Sequence, residues 1–183
     1  MLICSRKTHQ QFDVIFPSFF RKMNFALNFL VVFCLALVNL SSSADSNGFS
    51  SKVNWIEYED AIQDTTKPSM IILHKSWCPA CKNLKPKLSE SFDFEKLSEK
   101  FSMVNAKEND PVHDMSKFNL DGGYIPRIFF LDSSGDLLED IKNAKGNPEY
   151  KYFYYNAESV ISSMKQVLDN GDPSETKAEL WIV

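Results

Sequence analysis

The chain has 183 residues, 44% hydrophobic and 24% charged, which is the composition of one globular domain and excludes a disordered, collagen-like or multi-domain protein. Its 20 Lys and Arg against 24 Asp and Glu give a formal net charge of -4, so there is no electrostatic footprint for nucleic acid. Four cysteines are too few for a disulfide-dense scaffold, and their positions carry more information than their number.

Two of the four, Cys4 and Cys34, lie in an N-terminal stretch unlike the rest. Arg21 and Lys22 precede an apolar run from Phe25 to Leu40, and Ser41 to Ala44 come next as small residues. This order predicts a secretory signal peptide over residues 1–44, cleaved before Asp45. An uncleaved anchor is disfavoured, because the run is broken by Asn28 and Asn39 and falls short of the ~20 apolar residues that span a bilayer. Met23 is an alternative start within this leader. The leader carries Arg6, Lys7, Arg21 and Lys22 against Asp13 alone, so the chain after Ala44 is an acidic domain with no membrane segment expected.

Residues 45–52 are polar and predict a loose linker, with the folded domain over 53–170 and a tail over 171–183. Trp55, Ile56, Ala61 and Ile62 suit a short amphipathic helix from Trp55 to about Thr66, ended by Lys67-Pro68. Ser69 to His74 reads as a buried strand, and it leads through Lys75-Ser76-Trp77 into Cys78-Pro79-Ala80-Cys81. A helix continues from there to Glu90, with Leu84 and Leu88 on one face.

A Cys-x-x-Cys at a strand-to-helix junction has a chemical rationale. The first cysteine sits at the helix N-terminus, where free N–H groups favour a thiolate, so Cys78 is the expected nucleophile. Cys81, one turn along, can attack a mixed disulfide formed by Cys78. Pro79 suits the first helical position, and Trp77 offers a flat apolar wall. Lys75, Lys82 and Lys85 add positive potential, but each reads as an ordinary solvated lysine in preference to a tuned group. A zinc site would need ligands beyond Cys78, Cys81 and one of His74 or His113, and no second Cys-x-x-Cys exists. A static disulfide closing so short a loop would remove little chain entropy. The redox reading is therefore preferred, with His74 and His113 as structural or surface residues.

Further along, Asp93 to Lys100 predicts a helix, Phe101 to Asn105 a strand, and Val112 to Phe118 a short helix. Ile125-Pro126 opens a strand over Arg127 to Leu131. A cis bond there would fix a tight turn and leave the Ile125 backbone to pair with an extended peptide, whereas a trans bond is the commoner state of X-Pro. The turn Asp132 to Gly135 predicts that Asp136 to Ile141 returns as an antiparallel hairpin partner. A loop over 143–156 leads to a last amphipathic helix, Ala157 to Asn170, capped by Gly171. Helices alternating with strands predict an α/β fold, a central mixed sheet covered on both faces.

Trp77-Cys78-Pro79-Ala80-Cys81 after a buried strand, Pro86 in the adjoining helix and Pro126 at the head of a later strand resemble a thioredoxin over about residues 53–170. The longer segments His74 to Cys78, Leu84 to Lys87, Asp121 to Ile128, Leu131 to Gly135 and Gly146 to Tyr154 resemble the small endoplasmic-reticulum thioredoxin-like proteins related to the anterior gradient proteins. The resemblance implies a thioredoxin fold, a cis Pro126, and thiol-disulfide oxidoreductase activity through Cys78 and Cys81 on cysteine-containing client proteins. It implies a client-docking surface of Trp77, Pro79, Ala80, Ile125 and Pro126, a monomer, and no cofactor, with glutathione as a possible co-substrate.

Three departures stand out. The acid that thioredoxins bury six residues before the first cysteine is Ile72 here, which predicts slow turnover and keeps open a rival reading as a folding helper or client-binding protein. The dipeptide between the cysteines is Pro-Ala, which resembles oxidising or glutaredoxin-like motifs. Lys177-Ala178-Glu179-Leu180 resembles an endoplasmic-reticulum retrieval signal but is followed by Trp181-Ile182-Val183, so secretion is the expectation if it is not read.

Overall fold

The computed structural model describes residues 43–170. Residues 1–42 of the expected leader, the Gly171 cap and the Lys177–Leu180 tetrapeptide lie outside the described residues. Three strands form the sheet: β1 (Ser69–Leu73), β2 (Ser102–Ala106) and β3 (Arg127–Leu131), in the order β2-β1-β3. β1 runs parallel to β2, with Ile71 opposite Val104, and antiparallel to β3, with Ile71 opposite Phe129. All three are buried along their whole length, as strands covered on both faces are.

Alternation along each strand divides the core in two. Met70, Ile72, Met103, Ile128 and Phe130 face helices α2 (Pro79–Ser89), α3 (Phe92–Ser98) and α4 (Ala157–Asp169), meeting Leu84, Leu88, Phe94, Val160 and Met164. Ile71, Leu73, Val104, Phe129 and Leu131 face the opposite side and pack on Tyr58 and Ala61 of α1 (Tyr58–Ala61), on Val112 and Phe118 of two 3-10 turns, and on Tyr152. The mixed sheet covered on both faces thus matches the expected thioredoxin-like architecture, and the strand over Arg127–Leu131 coincides with its predicted span.

Several elements differ from expectation. The helix predicted from Trp55 shrinks to Tyr58–Ala61, because Trp55 and Ile56 join the sheet edge instead. Trp55 bridges Met103 in parallel, the Ile56 N–H donates to the Met103 carbonyl at 2.9 Å, and the buried indole N–H donates to the Ser50 carbonyl. Burying a whole tryptophan against the sheet outweighs a weak local helix preference. The predicted hairpin partner is reduced to one bridge, Leu131 to Leu137. Asp132 accepts from the Ser134 and Asp136 N–H groups and makes the turn, but Ile141 N–H then donates to Leu138 O and bends the chain away. The short helix expected over Val112 to Phe118 is two 3-10 turns, Pro111–Asp114 and Ser116–Phe118, the first capped by the Asp110 side chain. Residues 45–52, expected as a loose linker, are tied down: Phe49 and Ser50 are buried, and the side chains of Asn47 and Asn105 hydrogen-bond at 2.6 Å.

Candidate active site at the Cys78–Cys81 turn

β1 ends at Leu73, and His74 extends its pairing by donating its backbone N–H to Ala106 O at 3.0 Å. The chain then turns through Lys75 to Trp77, and Glu108, which lies just past β2, clamps this turn. Its carboxylate accepts the Ser76 backbone N–H at 2.9 Å and the Ser76 hydroxyl. These two hydrogen bonds hold the Glu108 carboxyl down to about 2.

Cys78 is the N-cap of α2, with extended backbone (φ -73°, ψ 120°), and Pro79 takes the first helical position as expected. The Cys78 sulfur accepts the Cys81 N–H at 3.3 Å, using one of the donors that a helix start leaves without an intrahelical partner. Its thiol donates to Ile125 O at 3.6 Å. Cys78 keeps a 6% exposed margin, whereas Cys81 is fully buried, and both are free thiols. Burial, reinforced by the hydrogen bond with Cys78, pushes the Cys81 thiol up to about 12.

The Ile125-Pro126 bond is cis. Arg127 immediately after it is buried, and one guanidinium nitrogen donates to Phe118 O and Gly122 O, both at 2.6 Å. That anchor fixes the approach of the cis-proline loop to the sulfur. Trp77 is 66% exposed, with the Lys75 ammonium 5.4 Å from its ring centroid. The Cys78 thiol, between Trp77 and Pro79 in the chain, thus meets the Ile125 carbonyl next to the cis Pro126, and Ala80 lies half-buried in the first turn of α2. The Ile125 backbone is not wholly available to a peptide, since its carbonyl already faces the Cys78 thiol.

The Thioredoxin-like family model matches residues 55–133. Human anterior gradient protein 2 homolog is 32% identical over 129 residues, covering 67% of this chain and 71% of that protein. Anterior gradient protein 2-B of Xenopus laevis is 30% identical over 129 residues, covering 67% and 76%. Among solved structures, one titled DsbH Oxidoreductase superposes with a TM-score of 0.48 at 17% identity, covering 72% of this chain and 93% of that one.

The chain belongs to the anterior gradient family of thioredoxin-like proteins.

In this family member, sequence reasoning had passed over three contributors. Glu108 stands 32 residues from Ser76, and nothing local marks it. Arg127 reads as a strand-opening cation, yet it is a buried anchor. Lys85, grouped with Lys75 and Lys82, is set apart by the structure: its ammonium donates to Asn47 O at 2.5 Å and lies 5.2 Å from the Phe49 ring centroid. Its i, i+4 spacing from Cys81 was the available signal. His74 is fully buried, its ring edge-on to Phe49 at 5.1 Å, and neither ring nitrogen has a hydrogen-bond partner among the described residues. Burial holds it down to about 4 and so neutral at pH 7, with Lys85 acting in the same direction. Neither histidine joins a metal cluster: among the described residues no three His, Cys, Asp or Glu side chains converge, and no helix is long and apolar enough to cross a membrane.

Proposed function

We propose that this protein is a thiol-disulfide oxidoreductase acting on cysteine-containing proteins of the secretory pathway. The observation that carries the reading is the placement of the Cys78 sulfur, which caps α2, receives the Cys81 N–H at 3.3 Å and lies beside the cis Ile125-Pro126 bond. In the reducing direction, the Cys78 thiolate attacks one sulfur of a client disulfide, and the other client sulfur leaves as a thiolate and takes up a proton. Cys81 then loses its proton and bonds to Cys78. The first client sulfur leaves, so the pair is oxidised by two electrons and the client disulfide reduced. The oxidising direction is the reverse, and the reduction potential of the pair assigns which one operates. Glutathione is the reading's candidate for resetting the pair, and the chain acts as a monomer with no cofactor.

Trp77, Pro79, Ala80, Ile125 and Pro126 form the client-docking surface of this reading, supported by the exposure of Trp77 and by the cis bond next to the sulfur. The segments from His74 to Cys78 and from Asp121 to Ile128 look like those of thioredoxin domain-containing protein 12, which supports residence in the endoplasmic-reticulum lumen, with secretion if Lys177–Leu180 is not read. The test is Cys81→Ser. Mixed disulfides with clients should accumulate through Cys78 and vanish in Cys78→Ser, and their absence both in cells and with a model disulfide would refute the reading.

A second reading, a low-turnover folding helper, draws on one observation: Cys81 is buried with its thiol pushed up to about 12, and Ile72 is apolar and fully buried. Insulin disulfide reduction separates the two. Activity lost in Cys78→Ser supports the enzyme, and client binding unchanged after loss of both cysteines supports the helper.

A further inference from the structure

The resolving cysteine is the difficult partner of the pair, because a fully buried sulfur must carry negative charge as it attacks. Ile72 supplies no ionisable group to help it. A cation is nevertheless held nearby. The segment Asp45 to Phe49 turns back through Asn47 (φ 49°) and Gly48 (φ 82°) and is stitched to β2: the Asn47 amide donates to Asn105 Oδ1 at 2.6 Å, and Asn105 Nδ2 donates to Asp45 O at 2.9 Å. These bonds set the Asn47 carbonyl over α2, where it accepts from the Lys85 ammonium at 2.5 Å. The Phe49 ring lies 5.2 Å from that ammonium, and a Cβ on Gly48 would stand 3.5 Å from Lys85 Cδ. Lys85 is half-buried and one helical turn past Cys81, so the two share a face of α2. Lys82, by contrast, is exposed, and Lys75 lies over Trp77.

We propose that Lys85 is a positioning residue of the resolving step: the Asp45–Phe49 loop tethers its ammonium, on the face of α2 that also carries Cys81, so that the charge stabilises the Cys81 thiolate during its attack on the Cys78 mixed disulfide. This rests on the disulfide-exchange reading above. In the step, Cys81 gives its proton to solvent and its sulfur bonds to Cys78 Sγ. The Cys78–client S–S bond breaks, and its electron pair leaves on the client sulfur. Lys85 favours the charged form of Cys81, opposing the effect of burial and of Cys78. Burial lowers the Lys85 pKa, with Lys107 and Lys82 acting in the same direction and Cys81 and Glu108 opposing them, while His74 beside the turn is neutral.

The test uses the full chain with Cys4 and Cys34 changed to Ser, reduced and mixed in stopped flow with one equivalent of 5,5'-dithiobis(2-nitrobenzoate). The first release of thionitrobenzoate reports attack by Cys78 and the second reports resolution by Cys81. Lys85→Met is expected to slow the second phase about threefold at pH 7, because the loss of thiolate is partly offset by the greater nucleophilicity of a more basic sulfur, and to leave the first phase unchanged. Lys85→Arg is expected to keep the parent's second phase, since it keeps the charge. Lys85→Gln, which can still donate to Asn47 O but carries no charge, is expected to be as slow as Lys85→Met, with its pH profile moved upward. Equal second phases in the parent and in Lys85→Met, or rescue by Gln as complete as by Arg, overturns the proposal while leaving the disulfide-exchange reading standing. A parent chain with no second phase overturns both.

Discussion

Replacing His74 by Leu tests whether the interior beside the redox turn is as dry as its geometry implies. His74 is fully buried, edge-on to Phe49, with both ring nitrogens lacking partners among the described residues, and Asn105 beside it is committed to Asp45 and Asn47. Burial first, then Lys85 and His113, lower its pKa from 6.5 to about 4, against smaller opposing effects of Asn105 and Glu108. A histidine whose folded pKa is depressed contributes stability that is complete above the unfolded pKa. That stability is lost as the pH falls from 6.5 towards about 4, because the unfolded chain takes up the proton first. The linkage integral between pH 7 and 4.5 is about 2.5 kcal/mol. Urea unfolding of the full chain, followed by tryptophan fluorescence at both pH values, reads it. The drop in stability on acidification should be smaller in His74→Leu than in the parent by about 2.5 kcal/mol, with near-equal stability at pH 7 because no partnered polar group is lost. Identical acid dependence in the two proteins would refute the burial argument.

Other expectations concern the scaffold of the site. Leu84→Ala empties a fully buried position on α2 facing the sheet and should cost about 2–5 kcal/mol, measurable as a lowered urea midpoint at unchanged slope. Arg127→Met removes the donor shared by Phe118 O and Gly122 O and should cost about 2–4 kcal/mol, with faster amide hydrogen exchange over 118–124; protection unchanged there would contradict the anchoring role. Gly146→Ala brings a Cβ to 2.7 Å from Asn143 Nδ2, which donates to Phe153 O, so displacement of that side chain should cost about 1–3 kcal/mol in the same unfolding assay.

The strand Arg127–Leu131 and the helix Ala157–Asp169 are legible because each has one strong local signal: an unbroken apolar run bounded by Pro126 and an Asp-Ser-Ser-Gly turn, and a helical apolar face. The redox turn was legible for the same reason, since a helix start, its capping cysteine and the first-position proline are all encoded within four residues. Trp55 and Leu137 were misread because a bridge to the sheet edge depends on a distant partner, Met103 or Leu131, that no local window contains.

Sequence alone determined the pair on which the proposed chemistry rests: Cys78 and Cys81 are one helical turn apart wherever that helix forms, and Ile72 cannot be an acid. Only the tertiary structure decided their electrical surroundings. Whether a lysine is solvated or tethered depends on which carbonyl reaches it, and for Lys85 that carbonyl comes from Asn47, in a segment that reads as a loose linker until Asn105 and Phe49 pin it. Burial and charge act through space over distances set by packing, and for that reason the Cys81 thiol, neutral His74 and tethered Lys85 belong to the fold and not to the motif.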